Sequence, residues 1–426
     1  MTNLIAELTW RGLLQDIIPG TDEQLQKEMT TGYIGFDPTA DSLHIGNLVP
    51  VILLMHLQKA GHKPIVLVGG ATGMGGDPSG KSAERNMLPI EQINHNIEAQ
   101  KNQLSKFLQF DPSLPNHAEI VNNYDWFQNI TFLDFIRDIG KHITVNYMMS
   151  KDSVQNRLES GMSFTEFSYQ LVQGYDFYYL NQHKNVRLQM GGSDQWGNIV
   201  TGTELIRKKS GNEVFAFTAP LLKKADGGKF GKTETGNIWL DKNKTSAYKF
   251  YQFWLNAADD DATRYIKVFT FLNQETIENL IAQHLEAPHL RILQKQLAEQ
   301  LTVLVHGQEA FEHALHASQI LFGKNTADAL KKLSEEDLLD VMEGVDTFEV
   351  SLEDVKNGIP IIVFLVNAGI FESKSSAREM LKSGGVSINK NKITDMEYHI
   401  GIDDLLNQKY IFIQKGRNHY NLVIAK

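Results

Sequence analysis

The strongest constraint on the fold of this chain is the segment at residues 63–69, KPIVLVG, which is uninterrupted by polar residues after Lys63. A short strand that is apolar at every position is typical of a sheet covered on both faces. Another β-like run lies at 31–36, and the residues between, 46–60, have the apolar spacing of a helix with Pro50 in its first turn. Strand, helix and strand in this order predict a parallel βαβ unit, in which ligands bind beyond the carboxyl ends of the strands.

The character of the predicted elements changes along the chain. Helical patterns at 4–17 and 90–110 and strand-like runs at 119–122 and 186–190 extend the sheet region, whereas 247–307 contains helical patterns only. From about Gly358, an apolar segment, a basic helix and short β-like runs predict a small α+β domain. A length of 426 residues agrees with two or three domains.

Composition narrows the class of protein. The chain has no cysteine, which excludes a disulfide scaffold and cysteine-based metal sites. Its apolar runs are far shorter than the ~20 residues of a membrane helix, and the N-terminus lacks a signal-peptide layout, so we expect a cytoplasmic protein without membrane contact. A net charge of −10 argues against a wholly basic nucleic-acid-binding protein. Residues 351–426 nevertheless carry 10 Lys and Arg against 8 Asp and Glu, which leaves room for a local RNA patch.

Chemistry-bearing residues first appear in the segment from Tyr33 to Asn47, YIGFDPTADSLHIGN. A helix N-terminus favours anions, and Gly46 would let a nucleotide approach the backbone closely. His44 and Asn47 are three residues apart, so both can face a phosphate. Alternatively, Asp41 or Ser42 caps the helix and His44 is an ordinary turn residue; the spacing by itself does not decide between these readings.

A glycine-rich segment at 227–236, GGKFGKTETG, contains two lysines three residues apart. It does not have the Walker spacing. Glycines make such a loop mobile, and lysine supplies a point charge suited to the charge that develops as pyrophosphate leaves. Taken alone, the segment fits a solvated hairpin better.

The two segments together carry a resemblance. His44-Ile-Gly-Asn47 resembles the HIGH signature of class I aminoacyl-tRNA synthetases, and the sequence KFGKT at 229–233 resembles their KMSKS loop. Three further segments are similar to bacterial tyrosyl-tRNA synthetases: VGGATGMGGDPSGK at 68–81, FTEFSYQLVQGYD at 164–176 and QMGGSDQWGN at 189–198. The resemblance runs over nearly the whole chain. It departs from the signature at Asn47, where histidine is expected; asparagine keeps a hydrogen-bond donor but cannot become a cation.

The resemblance implies a role for each matching residue. It places Tyr33 and Asp176 on the phenolic hydroxyl of tyrosine, Tyr169, Gln173 and Asp77 around its ammonium group, and Gln195 near its carboxylate. It implies that the catalytic residues are His44, Asn47, Lys229, Lys232 and Thr233. The implied ATP-binding residues are Gly35, Asp37, Thr39, His44, Gly46, Asn47, Gly191, Asp194, Lys229 and Lys232. Lys81 and Arg85 resemble pyrophosphate contacts on a mobile loop, although exposed basic residues are usually only solvated. The spacing of Tyr169, Gln173 and Asp176 at i, i+4 and i+7 places them on one helix face, which agrees with the roles in tyrosine binding that the resemblance implies.

The expected fold class is α/β, with a Rossmann-like doubly wound sheet followed by an α-helical domain and a small α+β RNA-binding domain. We predict a catalytic domain at 1–220, a loop and connection at 221–245, an anticodon-side helical domain at 246–325, an acidic linker at 326–357 and the RNA-binding domain at 358–426. A solvated acidic helix explains the linker residues about as well. The tRNA-binding candidates are Lys374, Arg378, Lys382, Lys390 and Lys392.

The resemblance implies tyrosine–tRNA ligation: tyrosine is activated with ATP and then transferred to the 3′ end of tRNA(Tyr). Mg²⁺ would arrive with ATP, since no His, Asp and Glu cluster has the spacing of a protein metal site. A homodimer is expected, with residues 131–149 at its interface. Alternatives are a tryptophan-specific synthetase of the same class, a nucleotidyltransferase that does not use tRNA, and a non-catalytic RNA-binding protein.

Overall fold

The computed structural model describes residues 3–77, 79, 88–155, 161–228, 230–233, 236–322, 330–342, 345–416 and 419–426. The density of internal contacts divides the chain into two compact units. The first comprises Met1–Thr245 and Leu255–Leu304, and the second comprises Ser246–Trp254 and Val305–Lys426. Within the described residues, no helix is both long and apolar enough to span a bilayer.

The first unit is built on a five-stranded parallel sheet. Its strands are β1 (Thr31–Phe36), β2 (Lys63–Val68), β3 (Glu119–Asn122), β4 (Val186–Gly192) and β5 (Phe215–Ala219), in the spatial order β3-β2-β1-β4-β5. The order reverses between β1 and β4, which makes their carboxyl ends the topological switch point of a doubly wound sheet. The Rossmann-like sheet predicted from the sequence is therefore confirmed.

Helices follow or connect these strands. They are α1 (Leu4–Arg11), α2 (Thr21–Lys27), α3 (Leu48–Lys59), α4 (Thr72–Gly75), α5 (Ile90–Leu104), α6 (Tyr124–Phe127), α7 (Phe132–Asp138), α8 (Val145–Met149), α9 (Asp152–Gln155), α10 (Phe164–Lys184) and α11 (Trp196–Lys209). A two-stranded hairpin, β6 (Lys232–Thr233) with β7 (Gly236–Asn237), comes after β5.

Three helix boundaries differ from the sequence prediction. Helix α1 ends at Arg11 rather than near residue 17, because Gly12 takes the left-handed conformation at φ 73° and its N–H bonds to carbonyls of the last turn. Helix α3 begins at Leu48 rather than residue 46, because a 3₁₀ turn at Ile45–Asn47 precedes it. Helix α5 ends at Leu104, short of the predicted residue 110.

Helices α10 and α11 pack closely beneath the site. A Cβ placed on Gly174 would lie 3.4 Å from backbone atoms of Gly202, so the absence of both side chains brings the two helices together. Helix α10 begins with a capping box, in which Ser163 accepts from the N–H of Glu166 and the Glu166 side chain accepts from the N–H of Ser163. Helix α10 therefore starts at a defined residue and is packed closely against α11.

The helical region predicted for 247–307 is present as α12 (Ala247–Leu255), α13 (Asp259–Phe269), α14 (Gln274–Glu286) and α15 (Ile292–His306), followed by α16 (Gln308–Phe322). The division by contacts groups 255–304 with the sheet, whereas the sequence assigned 246–325 to one helical domain. In the second unit, residues of α12 pack on the chain after 304, as in the ring contact between Phe250 and His306 at 4.8 Å.

The rest of the second unit is a small α+β fold. Its helices are α17 (Glu335–Val341), α18 (Leu352–Lys356), α19 (Ile361–Asn367) and α20 (Lys374–Lys382). Its strands are β8 (Asp346–Val350), β9 (Ile359–Pro360), β10 (Val386–Ile388), β11 (Asn391–Lys392), β12 (His399–Ile400), β13 (Tyr410–Lys415) and β14 (His419–Ala425). Five of them form a sheet in the order β11-β10-β13-β14-β8, and β9 pairs with β12.

Part of the segment predicted as an acidic linker belongs to this sheet. Strand β8 pairs in parallel with β14 over five residues, and the carboxylate of Glu335 accepts a hydrogen bond from the Tyr410 hydroxyl at 2.7 Å. Strand β8 lies at the edge of the sheet, and its exposed Thr347 and Glu349 alternate with the half-buried Phe348 and Val350. The acidic charge that suggested a linker therefore lies on the solvent side of ordered elements.

Candidate active site

A cavity of about 590 Å³ opens at the carboxyl ends of β1 and β4. This is the position that the switch-point rule assigns to ligands, and the volume suits a small-molecule site. The cavity is lined by fourteen of the predicted site residues: Tyr33, Gly35, Asp37, Thr39, His44, Gly46, Asn47, Asp77, Tyr169, Gln173, Asp176, Gly191, Asp194 and Gln195. The tertiary structure thus brings together residues that are dispersed over most of the first half of the sequence.

One end of the cavity is formed by the turn that begins α3. The Nδ1 atom of His44 accepts a hydrogen bond from the N–H of Gly46 at 3.0 Å, and the Asn47 side-chain oxygen accepts from the N–H of His44 at 3.0 Å. Each side chain therefore uses an acceptor to hold the turn. In the neutral imidazole this leaves the proton on Nε2, so Nε2 and the Asn47 amide nitrogen are the donors of these side chains.

The chain following the lysine-bearing segment runs alongside this turn. The N–H of Ile45 donates to the carbonyl of Ile238 at 2.9 Å, and the N–H of Leu240 donates to the carbonyl of Leu43 at 2.8 Å. Gly231 has a φ of 83°, and a Cβ there would lie 3.0 Å from the Ile45 side chain. The backbone around the lysine-bearing segment therefore meets the His44 turn.

The predicted lysines are only partly described. Lys229 lies outside the described residues, as do Lys81 and Arg85. Lys232 and Thr233 are described as strand β6, without their side chains. The roles of these five residues stay predictions. Asn237 and Trp239, which follow Lys232 and Thr233 in the chain, line the cavity.

The deep end of the cavity holds a buried hydroxyl and a buried carboxyl group. The Tyr33 hydroxyl has no hydrogen-bond partner among the described residues. Asp176 accepts from Nε1 of Trp126 at 2.9 Å and from the side-chain amide of Asn123 at 3.1 Å. Burial raises the pKa of Asp176 to about 8, although the two hydrogen bonds act in the opposite direction. Burial also raises the pKa of Tyr33, with a smaller contribution from the charge of Asp176.

Asn123 and Trp126 are site residues that the sequence analysis missed. They follow β3 directly, at the carboxyl edge of the sheet. The rule that placed functional residues after β1 and β4 also applies after β3, so the predicted strand at 119–122 was the available signal.

Two carboxylates flank Tyr169 in the middle of the cavity. The Tyr169 hydroxyl donates to Asp37 at 2.9 Å, and the Thr72 hydroxyl donates to the other oxygen of Asp37 at 2.7 Å. Burial raises the pKa of Tyr169, and the negative charges of Asp37 and Asp77 raise it further. The sequence grouped Asp37 with the ATP-binding residues, whereas the structure places it on the hydroxyl of a residue assigned to the ammonium group.

Asp77 belongs to a second chain of hydrogen bonds. It accepts from the Gln195 side chain at 2.6 Å, while Asn198 donates to Gln173 at 3.0 Å and to Gln195 at 3.3 Å. Gln195 therefore lies beside Asp77, and its role near the carboxylate of tyrosine stays a prediction. Asn198 is a further residue that the prediction did not include.

The end of β4 forms the remaining wall. Gly191 and Gly192 precede the 3₁₀ turn Ser193–Gln195, and a Cβ on Gly192 would lie 2.7 Å from the Asp194 carboxylate. The oxygen of the Gln189 side chain is buried without a partner among the described residues. The absence of a side chain at Gly192 thus leaves space for the Asp194 carboxylate beside the end of β4.

The tRNA-binding candidates lie in the second unit. Lys374, Arg378 and Lys382 are exposed at intervals of four residues on α20, and Lys392 is exposed on β11. Lys390 is half-buried, and burial lowers its pKa. Lys374, Arg378 and Lys382 form a basic stripe on one face of α20. Among the described residues of the whole chain, no three His, Asp or Glu side chains form a group that could hold a metal ion.

Comparison with known proteins covers both units. The family described as tRNA synthetases class I (W and Y) matches residues 25–323, and the SYY-like C-terminal domain of tyrosine–tRNA ligase matches 337–423. The tyrosine–tRNA ligases of Bacteroides thetaiotaomicron and Porphyromonas gingivalis are each 58% identical to this chain, over all of both chains. The C-terminally truncated mitochondrial tyrosyl-tRNA synthetase of Aspergillus nidulans superposes with a TM-score of 0.67 at 30% identity, covering 76% of this chain and 95% of that one.

Proposed function

Because this chain belongs to the class I tRNA synthetases for tryptophan and tyrosine and is a tyrosine–tRNA ligase, we propose that its cavity binds L-tyrosine at the deep end and ATP at the His44 turn. The observation that carries this assignment is the buried Tyr33 hydroxyl, which has no hydrogen-bond partner among the described residues and whose pKa is raised in part by the charge of Asp176. An unpaired buried hydroxyl is costly, and a phenolic hydroxyl placed between the two groups would satisfy both.

The ammonium group of tyrosine fits the middle of the cavity. Asp37 and Asp77 supply negative charge there, and Tyr169 and Gln173 supply neutral oxygens. Four groups of this kind suit a primary ammonium, which donates three hydrogen bonds and accepts none. We therefore include Asp37 with the tyrosine-binding residues as well as with the ATP loop.

In the proposed first step, an oxygen of the tyrosine carboxylate attacks the α-phosphorus of MgATP. The new bond joins that oxygen to phosphorus, the bond to the β-phosphate oxygen breaks, and pyrophosphate leaves with the electron pair. The carboxylate is already a nucleophile, so this step needs positioning and charge stabilisation rather than a general base. Nε2 of His44, the Asn47 amide, Lys229, Lys232 and Thr233 are the proposed donors to the phosphates.

ATP fits the wall between β1 and β4. Gly35, Thr39, Gly46 and Gly191 line the cavity there, and Asp194 supplies a carboxylate for ribose hydroxyls. The magnesium ion would come with the phosphates, since Mg²⁺ at such sites is commonly held by substrate phosphates and water. Lys81 and Arg85 are retained as candidate pyrophosphate contacts.

In the proposed second step, a hydroxyl of the terminal ribose of tRNA(Tyr) attacks the carbonyl carbon of tyrosyl-adenylate. An ester bond forms, the bond from the carbonyl to the phosphate oxygen breaks, and AMP leaves. The residues matched by the C-terminal family, 337–423, are proposed to bind this tRNA through the stripe on α20 together with Lys390 and Lys392. The five predicted segments stay our proposal for how these tasks are distributed, with 246–325 on the anticodon side, except that residues 346–350 of the predicted linker belong to the C-terminal sheet.

We also propose a homodimer formed through residues 131–149. Phe132, Leu133 and Val145 are 63%, 75% and 62% exposed, an unusual proportion of exposed large apolar side chains for adjoining short helices. Leu133→Asp should give a monomer in sedimentation analysis, whereas a dimer of unchanged affinity would refute this interface. The cytoplasm, where tRNA and ATP are present, is the proposed location.

Tyrosine-dependent exchange of label between pyrophosphate and ATP tests the proposed function. We expect exchange with tyrosine and much weaker exchange with tryptophan or phenylalanine. Preference for tryptophan would favour the tryptophan-specific alternative, and exchange without tRNA charging would favour a nucleotidyltransferase. Absence of exchange with every amino acid would favour the non-catalytic alternative.

A further inference from the structure

Helix α5 presents a row of amide side chains to the interior of the first unit. Asn96, Gln100 and Gln103 are spaced at i, i+4 and i+7, so they lie on one helix face. Asn96 and Gln100 are 1% and 2% exposed, and Gln103 is half-buried. Burying an amide is costly unless it is hydrogen-bonded, and an apolar side chain of similar size would pack without that cost. The polar groups on this face therefore need partners.

The N–H groups of the three amides donate to the loop between β1 and the His44 turn, whereas the Asn96 oxygen accepts from Gln92 on the same helix and the buried Gln100 oxygen has no partner among the described residues. The Asn96 amide donates to the Pro38 carbonyl at 2.9 Å, and the Gln100 amide donates to the Ala40 carbonyl at 3.0 Å. Gln103 makes two contacts: it donates to the Ser42 hydroxyl at 3.0 Å and accepts from the Leu43 N–H at 2.8 Å. The order of contacts along the helix follows the order of residues along the loop.

These contacts replace the hydrogen bonds that an irregular loop cannot make with itself. Residues 37–43 belong to no helix or strand, so their buried backbone groups require other partners. On another side the loop is held by the Leu240 N–H, which donates to the Leu43 carbonyl, and by an ion pair of 2.7 Å between Lys244 and Asp41. Thr39, Ala40 and Ser42 of this loop line the cavity. The loop is therefore bound from more than one direction.

We propose that Asn96, Gln100 and Gln103 are positioning residues for ATP, which hold the 37–43 loop and the adjoining His44 turn in the geometry that the nucleotide requires. This inference rests on the proposed binding of ATP at that turn. The three amides are not among the residues proposed to contact tyrosine, although Gln100 also lines the cavity and the loop begins at Asp37. Gln103 contacts Ser42 and Leu43, at the end of the loop away from Asp37, so it provides the clearer test. Their loss should therefore affect ATP and tyrosine unequally.

The test uses the full-length protein with Gln100→Met and Gln103→Met, made separately. Methionine approximates the shape of glutamine and removes the amide donors. Asn94→Leu is the matched control, because Asn94 is an exposed amide on the same helix. The measured quantities are kcat and KM for ATP in tyrosine-dependent pyrophosphate exchange, tyrosine affinity by equilibrium dialysis, and hydrogen exchange of the peptide containing Leu43.

We expect kcat/KM for ATP to fall by about tenfold or more in both methionine variants, since small misplacements of positioning groups are costly. Tyrosine affinity should stay within about twofold of the wild-type value, which also reports a folded protein, and Asn94→Leu should behave as wild type. Amide exchange near Leu43 should accelerate in Gln103→Met. The inference is overturned if ATP and tyrosine parameters fall by the same factor, or if neither changes in folded variants.

Failure of this inference and failure of the proposed function give different results. A wild-type protein that lacks tyrosine-dependent exchange refutes the proposed function. A wild-type protein that exchanges normally, with methionine variants that match it, refutes only the role of the amide row. If Gln100→Met does not fold, the half-buried Gln103 still provides the measurement.

Discussion

Nε1 of Trp126 donates a hydrogen bond to the carboxyl group of Asp176 at 2.9 Å, at the deep end of the cavity. The indole is itself stacked on Tyr179, with ring centroids 4.5 Å apart. This contact orients an acidic group in surroundings that exclude water, where its pKa is raised to about 8. Trp126 and Tyr179 therefore fix the orientation of the carboxyl group that we propose binds the ligand hydroxyl, and they need not contact the ligand themselves.

Tyr33→Phe should separate binding from stability. The substitution removes a buried hydroxyl that has no partner among the described residues, so the ligand-free protein should be unchanged or more stable, by up to about 1–3 kcal/mol. The ratio of kcat/KM for tyrosine to that for phenylalanine should fall by about tenfold or more, because the phenolic hydroxyl loses a partner. Thermal unfolding and pyrophosphate exchange measure the two effects. A less stable protein with undiminished selectivity would contradict this account.

Asp176→Asn should remove a pH dependence of stability. The folded-state pKa of about 8 lies above the ordinary value of 3.8, so the folded protein keeps a proton that the unfolded chain releases between these pH values. The stability contributed by this group is therefore greatest below about pH 4 and falls as pH rises towards 8, by roughly 1.4 kcal/mol per pH unit at most. The melting temperature of the wild type relative to Asp176→Asn should decrease from pH 5 to pH 8. A difference that is constant over this range would show that the carboxyl group titrates normally.

His44→Asn and His44→Ala should distinguish the two tasks of this imidazole. Asparagine can still accept the hydrogen bond that holds the turn, whereas alanine cannot, so the alanine variant should be less stable by about 1 kcal/mol. Both variants lose Nε2, and both should form tyrosyl-adenylate about 10²–10³ times more slowly in single-turnover measurements. Tyrosine affinity should change little. A wild-type rate for His44→Asn would limit this histidine to capping the turn.

Replacing Lys374, Arg378 and Lys382 by alanine should impair tRNA charging without affecting pyrophosphate exchange. Each basic side chain that contacts a phosphate contributes about one to the slope of log affinity against log salt concentration, so the slope should become shallower by up to about three. Lys332 and Lys356, exposed residues of the same unit, provide a control pair. An unchanged salt slope would remove α20 from the tRNA interface.

The patterns of apolar residues in the sequence were sufficient to predict most of the strands and helices. The apolar run at 63–68 is a strand buried at five of its six positions, because a parallel sheet covered on both faces demands apolar side chains throughout. The helical patterns within 247–307 are equally local, and helices α12 to α15 form there. The end of α1 was missed, because the spacing of apolar residues does not register the left-handed Gly12.

The site residues likewise fall into those that sequence motifs identified and those that only the packing of the chain brought together. His44, Asp176 and Asp194 were recognisable because each lies in a motif that occupies consecutive positions. The Trp126 and Asn123 contacts, the bond from Tyr169 to Asp37 and the amide row of α5 join segments far apart in the chain, and such contacts exist only after the sheet has assembled. Sequence by itself determined which elements form and which signatures they carry, since these depend on neighbouring residues. Tertiary structure alone decided which side chain completes another's hydrogen bonds, since that depends on how the elements pack and what they exclude from water.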